Sequence, residues 1–525
     1  MTAAALIRSA EAVVCRPWLR HILPATDWAS LVAALAGEPL DLLALWADPI
    51  QVHALLLDPA AMSVQAVSTP VEHGVYPAVS PVRPGAAWYE RMIRDLWGHE
   101  ASGGQDPRPW LDHGRWPRAV PMGSRPAQAP GAAEPPEFLG EAGSNLMQVP
   151  IGPIGGPMGA ISGPMGTIGG PMGTIGGPMG AISGLIHDAA HLRLTVAGPR
   201  ILRAEGRFGY THKGTLSLMQ GKSPRAAARF AARISADATV AHAIAFAQAA
   251  ESASDTDAPP RAVGLRAIML EVERIACHLA MLAAVADIVG ATRPRGTAER
   301  LRERLLGASE DGFGHRLMMD CVIPGGVALD IAPGGTAPLV DALDAVAVSL
   351  APLRRMIGGF AMATWLDGCA RTDLATLTAL AVGGVAGRAG GRRMDARMVS
   401  SLYADLGYAP TLETAGDAAS RCRVMLAEIA ESLRLIVYLL RILPDGVTSV
   451  ALPQVSGEGI GCAESARGDV WHWMRLDHGR IVAVFARDPG WALWPLAEAA
   501  LAGASCDDVA LTRASLALSV SGMDL

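Results

Sequence analysis

The sequence predicts an α+β fold, in which a small N-terminal α/β domain precedes a mainly helical region with peripheral β-hairpins. Two segments, 264–290 and 417–443, carry apolar residues every three to four positions, which is typical of helices that bury one face. Asp417 stands where an N-cap is expected at the start of the second segment. Residues 469–476 and 480–487 flank a short Gly-containing turn, and this pattern predicts a late β-hairpin.

The N-terminal α/β domain is predicted over residues 1–120. Within it, the apolar runs 31–37 and 40–46 predict helices, and residues 64–71 predict an extended segment. Residues 121–150 are rich in Pro, Ala and Gly, which is the composition of a linker.

A Gly-, Pro- and Met-rich loop over 151–186 and a C-terminal domain over 187–525 complete the predicted organisation. The loop contains four tandem heptads at 156–183, each beginning Gly-Pro-Met-Gly and none carrying a charge. Because Pro recurs every seventh residue, this segment cannot satisfy its backbone hydrogen bonds inside a bilayer. It is interpreted either as a segment that lies on apolar surface through its Met and Ile side chains, or as a tolerated surface loop. After it, a Gly-Pro turn at 198–199 predicts a pair of strands.

Composition excludes several classes of function. The formal net charge of −6 argues against a nucleic-acid partner. The seven cysteines are scattered and form no Cys-x-x-Cys, which disfavours a zinc knuckle or an all-cysteine iron–sulfur site and fits a reducing compartment. The N-terminus lacks a sustained apolar core, so no signal peptide is expected. Charges interrupt the other long apolar runs, so the chain itself is expected to be soluble.

Seven stretches of the sequence resemble, in order, the large subunit shared by membrane-bound group 4 nickel–iron hydrogenases and complex I, where it is called the 49-kDa subunit. Residues 88–117 resemble the end of the 30-kDa partner subunit, which is fused N-terminally in formate hydrogenlyase-type proteins. The seven stretches are RAEGRFGYTHKGTLSLMQGKSP (203–224), RISADATVAHAIAFAQAAE (233–251), LEVERIACHL (270–279), IPGGVALD (323–330), GRAGGRRMDAR (387–397), ESARGDVWHWM (464–474) and SLALSVSGMDL (515–525).

The sequence departs from that family at the positions where hydrogenases hold nickel and iron. The resemblance places the four cysteine ligands at Ser235, Ala238, Leu518 and Ser521. Nickel–iron chemistry needs thiolates, and neither serine hydroxyls nor hydrocarbon side chains replace them. Leu216 also stands where the family has a glutamate, which removes a proton-relay acid. The sequence therefore predicts that this chain binds no metal and no cofactor of its own, although a quinone could still bind in an apolar cleft.

The resemblance also nominates residues for the cleft. His187 and His191 match a two-histidine turn that addresses a quinone in complex I, although the matching tyrosine position is Ala236. They are interpreted either as cleft-lining donors and proton relays or as an exposed loop pair. Arg467 resembles an arginine that points at the hydrogenase active site, and otherwise is a structural turn residue.

Three further candidates come from the stretch that carries the first cysteine pair in hydrogenases. Ser235, Asp237 and His242 are expected near the former cofactor position. Ser235 and Asp237 either line a polar remnant of that cavity or cap the following helix.

One predicted helix carries a run of ionisable residues. Glu271 and Arg274 can pair at i, i+3, and Arg274 and His278 stand one turn apart. The run is interpreted either as a solvated or intersubunit charge stripe, together with Glu273, or as a route that couples proton movement.

The sequence therefore predicts a subunit of a membrane-associated oxidoreductase related to complex I and to group 4 hydrogenases. Expected activities are NADH- or formate-linked quinone reduction and proton movement, without a nickel–iron site. The resemblance implies a small iron–sulfur subunit and antiporter-like membrane subunits as partners, with the iron–sulfur cluster in the partner. It implies a peripheral location on the cytoplasmic side of the inner membrane. The alternatives are a non-catalytic structural subunit and a hydrogenase with unusual ligands.

Overall fold

The structure of this chain is a computed structural model, which describes residues 2–112, 114, 116–124, 127–128, 138, 146–154, 190–210 and 212–525. The heptads at 156–183 and His187 lie outside the described residues. The chain is 45% helical and 20% strand, divided among several small sheets. The predicted α+β class is therefore confirmed.

Strands and helices are mixed in the N-terminal region. Its elements are α1 (Ala3–Ser9), β1 (Glu11–Val14), β2 (Leu19–Ile22), α2 (Ala25–Leu35), β3 (Asp41–Ala47), β4 (Gln51–Asp58), β5 (Ser63–Pro70), β6 (Val75–Pro77), α3 (Ala86–Trp97), β7 (Glu100–Ser102), β8 (Arg118–Ala119) and β9 (Ala127–Gln128). The first five strands form one sheet in the order β1-β2-β5-β4-β3, in which only β2 and β5 are parallel. The remaining strands pair as β6 with β7 and β8 with β9.

The prediction of a helix over residues 40–46 is wrong, because these residues form β3. All seven residues of β3 are buried, and Trp46 stacks on Phe485 with ring centroids 5.2 Å apart. A continuous apolar run of this length fits a doubly covered strand as well as a buried helix, so periodicity could not separate the two. The predictions for 31–37 and 64–71 are confirmed by α2 and β5.

A second sheet is built from β10 (Met147–Ile154), β11 (Ala190–Ala197) and β12 (Arg200–Arg207), all antiparallel. The predicted Gly-Pro turn joins β11 to β12, and Gly198 adopts the positive φ of +60° that this turn requires. β10 begins inside the stretch predicted as a linker.

Helices dominate the next 240 residues. They are α4 (Thr215–Met219), α5 (Pro224–Ala231), α6 (Thr239–Ala253), α7 (Pro260–Ile288), α8 (Thr292–Phe313), α9 (Thr336–Ile357), α10 (Phe360–Leu366), α11 (Leu374–Ala379), α12 (Gly384–Ala389), α13 (Ser401–Asp405) and α14 (Ala418–Ile442), with the short strands β13 (Val322–Ile323) and β14 (Gly326–Val327) between α8 and α9. Both predicted long helices are confirmed, as α7 and α14. The Asp417 carboxylate accepts the Ser420 N–H at 2.8 Å and so caps α14 as predicted.

Charges interrupt the apolar sequence of α9 at Asp341 and Asp344, as predicted. By length and composition, α9 is the one helix among the described residues that could cross a membrane. In its most apolar 18-residue segment, 28% of the residues are buried.

The C-terminal part contains a third sheet of β15 (Gly457–Glu464), β16 (Asp469–Asp477) and β17 (Arg480–Arg487), followed by α15 (Gly490–Leu501), α16 (Val509–Ser515) and α17 (Ser521–Asp524). The predicted hairpin is confirmed as β16 and β17, and β15 extends it. Helix α6 packs directly on β15. A Cβ atom on Gly459 or Gly461 would lie only 2.1–2.2 Å from a carbonyl oxygen of α6, so glycine is needed for this approach.

One apolar core joins the N-terminal sheet to the C-terminal sheet. It includes Trp46 and Trp473, whose ring centroids lie 5.7 Å apart, and Tyr89, which stacks on Trp491. At its edge the Arg20 guanidinium forms two 2.8 Å hydrogen bonds with the Glu458 carboxylate. The first and last parts of the chain therefore stabilise each other, and together they frame the site described next.

Candidate functional site

Arg467 lies in the tight turn between β15 and β16 and is buried. The turn closes where Ser465 donates its backbone N–H and its hydroxyl to the Gly468 carbonyl, each at 2.8 Å. Arg274 of α7 holds the same turn, because it donates to the carbonyls of Glu464 at 2.6 Å and Ser465 at 2.9 Å. The position of Arg467 is therefore determined by a buried guanidinium on another element.

The Arg467 guanidinium meets two buried carboxylates. It donates to both oxygens of Asp488, at 2.9 and 2.8 Å, and its Nε lies 2.6 Å from Asp237 Oδ2. Ser235 donates its hydroxyl to Asp237 and lies 3.2 Å from Arg467 Nη2. Asp237 and Ser235 precede α6, whereas Asp488 follows β17. Two separate segments thus converge on the guanidinium of a third.

Two histidines extend this arrangement. His242 Nε2 lies 3.2 Å from Asp488 Oδ2, and His242 Nδ1 lies 3.0 Å from His472 Nε2. Both rings are buried, on α6 and β16 respectively. We call the six residues the Arg467 cluster. It consists of Ser235, Asp237, His242, Arg467, His472 and Asp488.

Burial and pairing set the charges in the Arg467 cluster. Burial alone would raise the pKa of Asp488, but the Arg467 guanidinium and the His242 hydrogen bond hold it well below its usual range. Burial would lower the pKa of Arg467, yet Asp237 and Asp488 outweigh it and keep that pKa above its ordinary value. The pKa of His472 lies well below its usual value because of burial and the neighbouring His242. The cluster is therefore an ionised core with a neutral imidazole at its end.

The residues at the predicted cysteine positions do not fit a nickel–iron centre. Ala238 and Leu518 present hydrocarbon, and Ser235 uses its hydroxyl as a donor to Asp237. The C-terminal segment nevertheless reaches the cluster, because a Cβ atom on Gly522 would lie 2.2 Å from Asp488 Cγ. Within the described part of the chain, no group of three or more His, Cys, Asp or Glu residues is arranged to hold a metal ion.

The interpretation of Ser235 or Asp237 as helix caps is wrong. Neither side chain bonds the free N–H groups at the start of α6. Glu273 of α7 does so instead, since its carboxylate accepts the N–H groups of Val240 at 2.6 Å and Ala241 at 3.1 Å. Burial raises the pKa of Glu273 to about 7, although these two hydrogen bonds oppose the rise. The side chain that caps α6 thus comes from α7. The side chains of Ser235 and Asp237 contact Arg467 instead.

The predicted histidine pair does not join the Arg467 cluster in the described structure. His191 is a buried residue of β11, and its ring centroid lies 5.3 Å from that of Phe138. The interpretation of His191 as an exposed loop residue is therefore wrong, while His187 lies outside the described residues.

The ionisable run on α7 is buried, so its interpretation as a solvated or intersubunit stripe is wrong. Glu271 accepts hydrogen bonds from Arg274 at 3.0 Å, Tyr403 at 2.7 Å and Ser432 at 2.6 Å. The predicted i, i+3 pair between Glu271 and Arg274 is confirmed. His278 lies 2.9 Å from Glu428 of α14.

A second guanidinium links this run to the following elements. Arg388 contacts Glu428 at 2.6 Å, Asp395 at 2.9 Å and Glu464 at 2.8 Å. Arg397 binds Asp395 through two hydrogen bonds, at 3.0 and 2.8 Å. We call this group the α7 cluster. It consists of Glu271, Arg274, His278, Arg388, Asp395, Arg397, Glu428 and Glu464.

Sequence reasoning missed several members of both clusters. Asp488 and His472 lie more than 200 residues from the segment that holds Ser235, and no spacing links them. Arg388, Asp395 and Arg397 lie inside 387–397, a stretch that carried the resemblance, so the signal was present but was not assigned a role.

Comparison with known proteins supports the same relationship. Residues 288–457 match the family described as the 49 Kd subunit of respiratory-chain NADH dehydrogenase, and residues 19–125 match its 30 Kd subunit. The chain is 26% identical to hydrogenase-4 component G of Escherichia coli K12 over 84% of this chain and 74% of that protein. It is 30% identical to NADH dehydrogenase [ubiquinone] iron-sulfur protein 2 of Arabidopsis thaliana, over 50% of this chain and 68% of that protein.

A solved structure shares the fold. The chain superposes on a chain of the membrane-bound sulfane sulfur reductase, an archaeal respiratory membrane complex, with a TM-score of 0.61 and 23% identity. The match covers 64% of this chain and 95% of that chain.

Proposed function

This chain belongs to the family of the complex I 49-kDa subunit and the group 4 hydrogenase large subunit, with a 30-kDa-like region fused to its N-terminus, and on this premise we propose that it is a redox subunit of a membrane-associated, complex I-like oxidoreductase. It acts in quinone-linked electron transfer coupled to proton movement and uses no nickel–iron site. The proposal assigns the metal-free proton chemistry to the Arg467 cluster.

The proposed partners follow from the relatives. The name of the Arabidopsis relative includes the words ubiquinone and iron-sulfur protein. The solved structure that shares the fold belongs to a respiratory membrane complex. A small iron–sulfur subunit and antiporter-like membrane subunits are the proposed partners, with the chain peripheral on the cytoplasmic side. NADH and formate are the proposed sources of electrons.

The observation that carries the proposal is the buried chain from Asp237 through Arg467 and Asp488 to His242 and His472. The two imidazoles share one hydrogen bond of 3.0 Å, so a proton can pass between His242 Nδ1 and His472 Nε2. Asp488 Oδ2 lies 3.2 Å from His242 Nε2 and orients that ring. Such a relay delivers or removes a proton beside a cleft in which a quinone is reduced.

The test uses the complex purified from membranes through a tag on this chain. Dithionite-reduced methyl viologen supplies electrons, a short-chain ubiquinone analogue accepts them, and nickel and hydrogen are measured on the same sample. We expect quinone-dependent oxidation of the viologen, nickel far below one atom per complex, and no hydrogen. We expect His242→Asn to lower turnover at least about a hundredfold with the subunits still associated, because one acid–base group usually contributes about 10²–10⁴-fold.

The control is His478→Asn, because His478 lies in the exposed turn between β16 and β17 and contacts no member of the Arg467 cluster. Stoichiometric nickel with hydrogen evolution would establish an unusual hydrogenase instead. Unchanged turnover of His242→Asn in an intact complex would refute the relay.

A structural subunit is the second candidate, and the pairing inside the Arg467 cluster favours it. The Arg467 guanidinium is ion-paired with both Asp237 and Asp488 inside the chain. For this candidate, His242→Asn leaves turnover unchanged, whereas Arg467→Met dissociates the complex.

A further inference from the structure

A cavity of about 340 Å³ lies between the N-terminal region and the second sheet, outside the Arg467 cluster. Its walls come from α3, the segment at 106–108, β12 and α15, with Trp88 on one side. Four arginines line it, namely Arg91, Arg108, Arg203 and Arg207. Four guanidinium groups thus line one cavity in a chain whose formal charge is −6.

Three of these arginines have carboxylate partners, and the Arg203 Nε lies 3.5 Å from Glu205 Oε2. Arg108 donates to both oxygens of Asp106, at 2.8 and 2.7 Å, and to Glu205 at 2.8 Å. Arg91 lies 3.1 Å from Asp106 and donates to two backbone carbonyls. Asp106 and Glu205 therefore form ion pairs mainly with arginines of the cavity wall.

Arg207 differs from them. Only 4% of its surface is exposed, and its Nε and Nη1 donate to no atom among the described residues. Its guanidinium lies 5.2 Å from the Phe138 ring centroid, which supplies no hydrogen-bond acceptor. Buried guanidinium donors without an acceptor are costly, and binding of an anion to them removes that cost.

Glu498 does not neutralise the cavity. Its carboxyl accepts the Gly206 N–H at 2.7 Å, and burial raises its pKa to about 8, so it is mostly protonated at neutral pH. The other carboxyl groups among the described lining residues are those of Asp106 and Glu205.

We propose that this cavity is a binding site for a phosphate-type oxyanion, with Arg207 as its main donor. Guanidinium groups bind tetrahedral oxyanions through charge-assisted hydrogen bonds, and the Nε and Nη1 of Arg207 have no acceptor among the described residues. The cavity accommodates a phosphate group with a small substituent. The phosphate belongs either to a free small molecule or to a lipid headgroup, and the experiment separates these sources.

The full-length protein is titrated calorimetrically with inorganic phosphate, and its binding to vesicles is measured with and without 20% phosphatidic acid in phosphatidylcholine. Saturable binding of phosphate alone indicates a free ligand, whereas binding to the phosphatidic acid vesicles alone indicates a headgroup. We expect Arg207→Gln to weaken the observed binding at least tenfold. Arg316→Gln is the matched control, because Arg316 is an exposed arginine paired with Glu303 on another surface. No binding to either probe, or equal binding by Arg207→Gln, would overturn the proposal.

The pH dependence gives a second readout that does not require a disruptive variant. Sulfate replaces phosphate in this experiment because it does not titrate between pH 6 and 9. We expect sulfate affinity to fall as pH rises through 8, because ionised Glu498 adds a negative charge opposite Arg207. The other charged groups that face Glu498 are Arg91 of α3, Asp106 and Arg108, and Arg203 and Glu205 of β12. Glu498→Gln should retain sulfate affinity at high pH, and a fall identical to that of the unmodified protein contradicts the assignment.

One variant tests whether the chain supplies the anion itself. Glu134, Glu137 and Glu141 are glutamates that surround Phe138 in the sequence. If E134Q/E137Q/E141Q binds phosphate while the unmodified protein does not, the site is occupied by the chain's own carboxylates, and an external ligand is refuted.

Discussion

The Arg467 cluster and the α7 cluster differ in how their charges are shared. In the Arg467 cluster one guanidinium serves two carboxylates, and the cluster ends in two imidazoles. In the α7 cluster three guanidinium groups and four carboxyl groups each contact several partners, and Tyr403 and Ser432 add hydrogen bonds. The first arrangement thus concentrates its ion pairs on one guanidinium, whereas the second distributes its charges over many pairs.

Helix α7 connects the two clusters. Glu271 and Arg274 belong to the α7 cluster, and Glu273 accepts hydrogen bonds from the start of α6. Arg274 also donates hydrogen bonds to the turn that carries Arg467. The α7 cluster therefore positions the residue around which the Arg467 cluster is built. The comparison implies that substitutions in the α7 cluster mainly affect stability. Substitutions in the Arg467 cluster should mainly affect function.

The largest effect is expected for Arg388→Met. Arg388 is buried against Glu428, Asp395 and Glu464, and its loss leaves three buried carboxyl groups without their shared cation. We expect the unfolding free energy to fall by about 3–5 kcal/mol, measured by urea unfolding of the purified chain. Arg434→Met removes an exposed pair with Glu431 and should cost less than about 1 kcal/mol. Similar losses for both variants would show that the α7 cluster stabilises the fold no more than an exposed ion pair does.

A smaller loss is expected for Arg467→Met. This change uncovers Asp237 and Asp488, but His242 still contacts Asp488 and Ser235 still donates to Asp237. We expect a loss of about 3 kcal/mol, with partial recovery when Asp237→Asn is added. A double-mutant cycle measures the coupling, which should exceed about 1 kcal/mol. Additive effects would show that the two side chains act independently.

The next effect depends on pH and concerns His472. Its folded-state pKa is lowered, so its contribution to stability is present above its unfolded pKa of about 6.5 and is lost as pH falls below that value. His472→Asn should therefore reduce the acid-side slope of unfolding free energy by up to about 1.4 kcal/mol per pH unit. Chemical unfolding at pH 5.5, 6.5 and 7.5 measures this slope. An unchanged slope would mean that His472 is charged in the folded protein.

The smallest effect on unfolding free energy at neutral pH is expected for Glu273. The pH dependence of its contribution is opposite in sign to that of His472. Its folded pKa of about 7 lies above the unfolded value, so its contribution is present below about 4.5 and is lost as pH rises through 7. Glu273→Gln keeps an acceptor for the start of α6 and should change stability at pH 7 by about 1 kcal/mol or less. The variant should lose the decline in stability between pH 5 and 7. A steeper decline in the variant contradicts the assignment.

Local patterns predicted the helices better than the clusters. The periodicity of α7 and α14 was sufficient because each is long and begins at a clear boundary. The segment that forms β3 was misassigned because seven consecutive buried residues carry no periodic signal. Strand β15 was not predicted, since Gly457, Gly459 and Gly461 weaken a strand signal that only close packing against α6 explains.

The candidate site was predicted in part. Ser235, Asp237, His242 and Arg467 were nominated by resemblance, and the structure brings them together. Their roles could not be assigned, because the missing partner Asp488 is reached only through the tertiary fold. Similarly, the charges on α7 resemble an exposed stripe in sequence, and only α14 and the segments around Arg388 and Arg397 show that they are buried.

The core shared by the two ends of the chain has a consequence for biosynthesis. Arg20 binds Glu458, which is made 438 residues later, and the aromatic side chains of the N-terminal sheet pack on residues made later still. At ribosomal rates of about 5–20 residues per second, the apolar face of that sheet stays exposed for roughly 20–90 s before the residues that pack on it are synthesised. Nascent-chain complexes stalled before residue 457 should therefore recruit chaperones strongly, and release of the full chain should end that association.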